Sequence, residues 1–305
     1  MEFKVGFHAR NFSELERVVQ VPGVNLVEVK PDGFNRAGEP LYSYADGGFE
    51  ADFVAMNRVT TIAKGKQINV HLPFEEAVDS SIETGLCYAL PEHHEALLSR
   101  FAMFGNMHLT FGIGEVLTMH PPVFMLDGAE ICDLDAAILN CREFLVKLDA
   151  MIKDKDYKFQ VGVENVVNPK TAGSSNAGFR TKHLDTLIGR TSRIGITIDT
   201  GHRLLTDEMS IAKLVSYGNI VNCHFHANPG VPIDDSYKDD AHLFAVPEDV
   251  GDERYIALPH FWRHMSGLRR RHTPIVLEVK LDKYSDQELA TYVSNLRGWL
   301  GEPGY

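Results

Sequence analysis

Eight ionisable residues each close a short apolar run of this chain: His8, Glu28, His71, His120, Glu164, Asp199, His226 and Glu278. Imidazoles and carboxylates are the side chains that ligate divalent metals and move protons near neutral pH. Strand parity groups them, because successive side chains point to opposite faces. In Val161-Gly162-Val163-Glu164 the valines take one face and Glu164 the other. Over residues 194–199 three isoleucines oppose Gly195, Thr197 and Asp199. Over 221–226, Val221, Cys223 and Phe225 oppose Asn222, His224 and His226, so two histidines share one face. Over 275–280, Ile275, Leu277 and Val279 oppose Val276, Glu278 and Lys280. The earlier runs behave alike: Val5 and Phe7 oppose Gly6 and His8, Val27 and Val29 oppose Glu28 and Lys30, Val70 and Leu72 oppose His71, and Leu117 and Met119 oppose His120. Burying carboxylates together is costly unless a cation offsets them. A divalent ion does so directly, and mixed imidazole and carboxylate donors suit zinc, manganese, cobalt or iron better than calcium.

The elements that must position these groups are eight strand candidates, at 3–9, 25–30, 67–72, 115–120, 159–165, 194–200, 220–227 and 274–280. Helical patterns lie between them: one capped by Ser13 and running to about Gln20, then 51–64, 92–104, 133–152, 182–188, 211–217, 255–270 and 286–300. Eight strand–helix alternations predict an α/β fold, a (β/α)8 TIM barrel forming a single domain over 1–305. A doubly wound sheet is the competitor, but the first strand leads into His8-Ala9-Arg10-Asn11 with no GxGxxG turn, so no nucleotide cofactor is expected. The two long connections, 31–50 and 228–252, both leave the C-terminal end of a strand, where a barrel builds its active site.

The 305 residues are 44% apolar and 24% charged, as in an ordinary globular protein. No apolar run is long enough for a membrane span, and the N-terminus does not read as a signal peptide. Cys87, Cys132, Cys141 and Cys223 form no CxxC pair, which fits a reducing, cytoplasmic setting. A net charge of −12 weighs against nucleic acid as partner. The one dense basic run, Arg269-Arg270-Arg271-His272, reads as the cationic end of a helix. Phe261 and Trp262 offer a possible homodimer contact, with core packing as the alternative.

From about His71 onward the chain resembles the xylose-isomerase-like barrel superfamily, which holds sugar isomerases and epimerases together with endonuclease IV. Val163-Glu164-Asn165, Asp199-Thr200-Gly201-His202, His224-Phe225-His226 and Leu277-Glu278-Val279 carry the likeness by their order and spacing. The resemblance implies that Glu164, Asp199, His226 and Glu278 hold a catalytic metal, zinc, manganese or cobalt. His226 is preferred to His224 because it lies nearer the mouth. It also implies that His202 binds substrate or a second metal. His71-Leu72-Pro73, His120-Pro121 and Asp240-Ala241-His242 are similar to further ligands of endonuclease IV, and residues 171–179 to its glycine-rich loop.

Two functions follow from the resemblance. One is a metal-dependent sugar or sugar-phosphate isomerase or epimerase, with Glu164 and Glu278 exchanging a proton next to a metal-bound carbonyl. His202 would assist, and Glu28, His8 and Lys280 would contact substrate. The other is a multinuclear zinc phosphodiesterase acting on abasic DNA, or another metallohydrolase, with His71, His120, His224, Asp240 and His242 completing the site. The second strand's Glu28, a following loop with only Arg36 as arginine, and Phe74 where the endonucleases tend to carry tyrosine favour the first.

Overall fold

The computed structural model describes residues 2–45, 48–73, 86–126, 129–167, 175–189, 191–205, 213, 216–228, 241–248 and 255–302. Eight parallel strands close into a barrel: β1 (Val5–Ala9), β2 (Leu26–Val29), β3 (Gln67–His71), β4 (Ile113–Met119), β5 (Gln160–Glu164), β6 (Ile194–Asp199), β7 (Ile220–His224) and β8 (Ile275–Leu277). Their order around the barrel follows the chain, and β8 returns to β1 with Val5 opposite Ile275. Each of the eight expected strands is present, so the fold is the predicted (β/α)8 barrel.

Parity assigns the two faces as expected. Val5, Phe7, Val70, Val163, Ile194, Ile196, Ile198, Ile275 and Leu277 are buried in one cluster with helix residues such as Leu15, Leu97, Phe144, Leu184, Met265 and Leu289. Those helix residues belong to the shell formed by α1 (Phe12–Val18), α2 (Pro31–Arg36), α3 (Phe53–Ile62), α4 (His94–Phe111), α5 (Leu134–Asp154), α6 (Thr181–Ile188), α7 (Thr200–Leu204), α8 (Phe261–Arg271) and α9 (Asp286–Trp299). Among the described residues, no helix is long and apolar enough to cross a membrane.

Several local expectations change. Asn11, not Ser13, caps α1: its side chain accepts from the Glu14 N–H, while Ser13 lies inside the helix. The 92–104 pattern runs on to Phe111, where Gly112 turns left-handed at φ 69° and stops it. The expected helix over 255–270 begins only at Phe261, because Pro259 disfavours helical backbone at Leu258; Tyr255–Ala257 instead pairs with Phe244–Val246 as a parallel ribbon. The 31–50 connection folds as α2 plus a hairpin of Tyr42–Ala45 and Gly48–Ala51. Most of the expected 211–217 helix lies outside the described residues. Phe261 is core, at 1% exposure, whereas its neighbour Trp262 is 59% exposed.

Candidate metal centre

The lumen-facing side chains form a polar ladder that ends at the C-terminal mouth. Its lower rung is neutral: Thr118 Oγ1 lies 3.1 Å from Thr197 Oγ1, and the Asn222 amide donates to Thr118 at 3.1 Å and to Glu28 Oε2 at 2.8 Å. These bonds join β7 to β4 and β2 across the barrel, which proves that this face looks inward. Gly162 leaves the room they need, since a Cβ there would stand 2.0 Å from Thr197 Oγ1.

Above that rung, ionisable groups interlock. Glu164 Oε2 faces His71 Nε2 at 3.2 Å and His120 Nε2 at 3.4 Å, while Oε1 faces His224 Nδ1 at 3.1 Å and His202 Nδ1 at 3.2 Å. His224 Nδ1 also lies 3.1 Å from Glu278 Oε2, and its Nε2 lies 2.9 Å from Glu28 Oε1. His8 links Glu28 to Glu278. Asp199 accepts the His202 N–H at 2.6 Å, capping α7, and turns its other oxygen to His226 Nε2 at 3.0 Å. The Asn165 side chain holds the Asp199 backbone from both sides, at 2.9 and 2.8 Å. His226 stacks on His242 with centroids 4.5 Å apart, in space left by Gly201, where a Cβ would come within 2.0 Å of the ring. His242 sits at φ 48° and reaches Glu278 O at 2.9 Å.

Burial and charge act against each other here. Burial alone would raise the Glu164, Glu278 and Glu28 carboxyls, but the facing histidines hold all three below the ordinary carboxylate range, Glu164 and Glu278 well below it. Burial would lower His224, yet Glu28, Glu164 and Glu278 hold its proton well above the usual histidine range. His120 goes the other way, because burial outweighs Glu164.

Among the described residues, four sets of side chains present ligand atoms within 4.8 Å of one another: Glu164, Asp199, His224 and Glu278; His71, His120 and Glu164; His226, His242 and Glu278; and His8, His71, His224 and Glu278. The first fits a divalent cation by its donor set, three buried carboxylates and one imidazole. This set holds His224, whereas the preferred histidine, His226, keeps its own contact with Asp199, Nε2 to Oδ2 at 3.0 Å against 3.8 Å for His224 Nδ1, and shares Glu278 with His242 in another set. A bulge sets the level of β7: Ile196 pairs with Ile220 but Thr197 with Asn222, so the strand slips by one residue and Asp199 lies opposite His224 rather than Cys223. His226 stands beyond the strand end.

Searches for likeness add the fold. No protein-family model matches the sequence, and no curated protein matches it. Solved structures do. A D-tagatose 3-epimerase-like protein superposes with TM-score 0.66 at 17% identity, covering 98% of this chain and 97% of that one. D-psicose 3-epimerase from Clostridium cellulolyticum H10, solved with D-tagatose, gives 0.62 at 11% identity, covering 97% and 99%. An AP endonuclease, family 2, from Brucella melitensis gives 0.62 at 12% identity, covering 96% and 98%. At these identities the likeness is one of fold: the chain shares its (β/α)8 barrel with these proteins.

Within this barrel, the remaining predicted site residues fall as follows. His8, Glu28, His71, His120, His202, His224 and His242 all join the cluster. Asp240 lies outside the described residues, as do Phe74 and residues 171–174 of the glycine-rich loop. Lys280 follows β8, partly exposed, and its backbone N–H donates to His242 O at 3.4 Å. Lys30 is a further cation near the carboxylates: burial would lower its pKa, but Glu278, Asp32, Glu164 and Glu28 raise it on balance. Its shared parity with Glu28 was the available signal. Asn222 shared its parity with His224 and His226, and Asn165 closed the Val163-Glu164-Asn165 motif, but neither position indicated which charged group it would aim.

Proposed function

We propose that this chain is a divalent-metal-dependent isomerase or epimerase of a sugar or sugar phosphate, working by proton transfer at the carbon beside a carbonyl. One observation carries the reading. Glu164 Oε1 and Glu278 Oε2 each lie 3.1 Å from His224 Nδ1, arriving from strands β5 and β8 on either side of β6 and β7. Two carboxylates flanking one point are what removing a proton from one face and returning it to the other requires. A divalent ion held by Glu164, Asp199, His224 and Glu278 supplies the Lewis acidity that makes such a C–H acidic.

The chain's own residues do the rest. Glu28 fixes His224 through Nε2, leaving Nδ1 towards the carboxylates. His8 braces Glu28 and Glu278 together. Lys30, His71, His120 and His202 surround Glu164 and are placed to orient hydroxyl or phosphate oxygens. The sugar substrates named for the structural neighbours are the class to try first. Incubation of the manganese- or zinc-loaded protein with ketohexoses in D2O tests this. Deuterium entering one carbon beside the carbonyl is the expected result, and no exchange with any ketose or ketose phosphate overturns it.

A second reading rests on its own observation. Glu164 turns one oxygen to His71 and His120 and the other to His224, the disposition of a carboxylate shared by two metals, and Glu278 belongs both to the set with His224 and to one with His226 and His242. A multinuclear metallohydrolase uses that arrangement to clamp a phosphodiester. Metal counting separates the two: one ion per chain supports the isomerase, and two or three that depend on His71, His120 and His242 support the hydrolase.

A further inference from the structure

The opposite end of the barrel carries charge of a different kind. The N-terminal ends of the strands surround a cavity of about 650 Å³, lined by Lys4, Lys158, Arg193 and Arg271 with Glu115 as the only carboxylate among the described residues. That volume suits a small molecule the size of a mononucleotide. The chain carries twelve more acidic than basic residues, so a cationic basin runs against its composition. Two of the cations are partly engaged. Lys158 pairs with Asp156, just outside the lining, and Arg271 donates one N–H to Gly267 O at 3.1 Å. Lys4 and Arg193 form no ion pair among the described residues, although Asp156 feels the charge of Arg193. With Asp156 counted, cations still exceed carboxylates by two. The rest of the wall is neutral and hydrogen-bonding, including Gln67, Gln160 and Thr273. Arg271 and His272 reach the basin from the basic run at the end of α8, so that run both ends a helix and faces a cavity.

We propose that this basin binds a small anion carrying two or more phosphates, held by Lys4, Arg193 and Arg271. Focused positive potential in a concave pocket is the feature that concentrates such anions. A nucleotide and a sugar bisphosphate share this chemistry. The walls are strand ends and the molecule is acidic overall, which fits a bounded ligand better than a nucleic-acid strand. The ligand would bridge β1, β6 and the segment entering β8, tying the barrel's closing seam.

Calorimetric titration of the metal-loaded protein with inorganic tripolyphosphate, ADP and fructose 1,6-bisphosphate tests the proposal. One site per chain is expected, weakening roughly tenfold or more in a K4Q/R193Q variant and weakening with added salt. E115Q should bind more tightly, an effect of opposite sign that damage to the fold does not produce. ADP or the bisphosphate outbinding tripolyphosphate supports the site and names the source. No binding by any of the three, or binding indifferent to K4Q/R193Q, overturns the proposal. So does binding abolished by E278Q but kept in K4Q/R193Q, because the phosphates would then be chelating metal at the other end.

Discussion

The two faces of the barrel strands solve opposite problems with alternate residues of the same segments. On the outer face, Ile194, Ile196 and Ile198 of β6 are buried against the helical shell, and any well-packed apolar set of the right volume would serve. On the inner face of that strand, Thr197 and Asp199 are equally buried, but each has a specific partner: Thr118 for one, His226 and the His202 N–H for the other. Apolar burial is non-directional and tolerant, whereas buried charge is stable only against its complement. The inner face therefore trades tolerance for chemistry.

The largest test of this contrast is Glu278→Gln. It keeps shape and removes one charge from the cluster, so activity should fall by about 10²- to 10⁴-fold, with loss of bound metal, and the metal-free protein should melt lower because His8 and His224 lose a buried complement. Turnover and elemental analysis check it, and full activity would break the distinction. Ile198→Ala is the complementary change. It should cost about 2–5 kcal/mol of folding stability by denaturant titration, with metal content unchanged. If it strips metal while the fold holds, the faces are not separable.

Asn222→Val probes the neutral rung between them. Removing the amide leaves Glu28 Oε2 and Thr118 short of a donor, so a loss of about 1–3 kcal/mol is expected together with weaker metal binding through His224. Loss of stability alone would make this rung purely structural.

The smallest expected effect is a pH dependence of the metal-free protein. The His224 pKa is raised in the fold by Glu28, Glu164 and Glu278, which together outweigh its burial. Its stabilising contribution is thus fully present below the unfolded value of about 6.5 and lost as pH rises through the folded pKa. The carboxyls are depressed, so theirs is present above about pH 4.3 and lost as pH falls through their folded values. Metal must displace the His224 proton, so loading should release protons and tighten as pH rises. Melting curves of chelator-treated and metal-loaded protein across pH 5–9 should diverge with increasing pH; parallel curves would exclude His224 as a ligand.

The sequence by itself determined the barrel, its eight strands, and which residues face the lumen. It did so because side-chain alternation is local: apolar residues at every second position state which face is covered, without knowledge of any neighbour. The clustering of Glu164, Asp199 and Glu278 at one mouth followed from the same rule. Where a signal depended on one residue among close competitors, it failed, as with Ser13 against Asn11 at the start of α1. What only the tertiary structure decided was height. His224 and His226 have the same parity, and the one-residue slip between β6 and β7 puts His224, in place of Cys223, opposite Asp199, while His226 stands beyond the strand end. Register between strands is a property of the pair rather than of either strand. The same holds for Lys30, whose carboxylate surroundings come from β5 and β8, and for Asn222, whose partners lie across the lumen on β2 and β4.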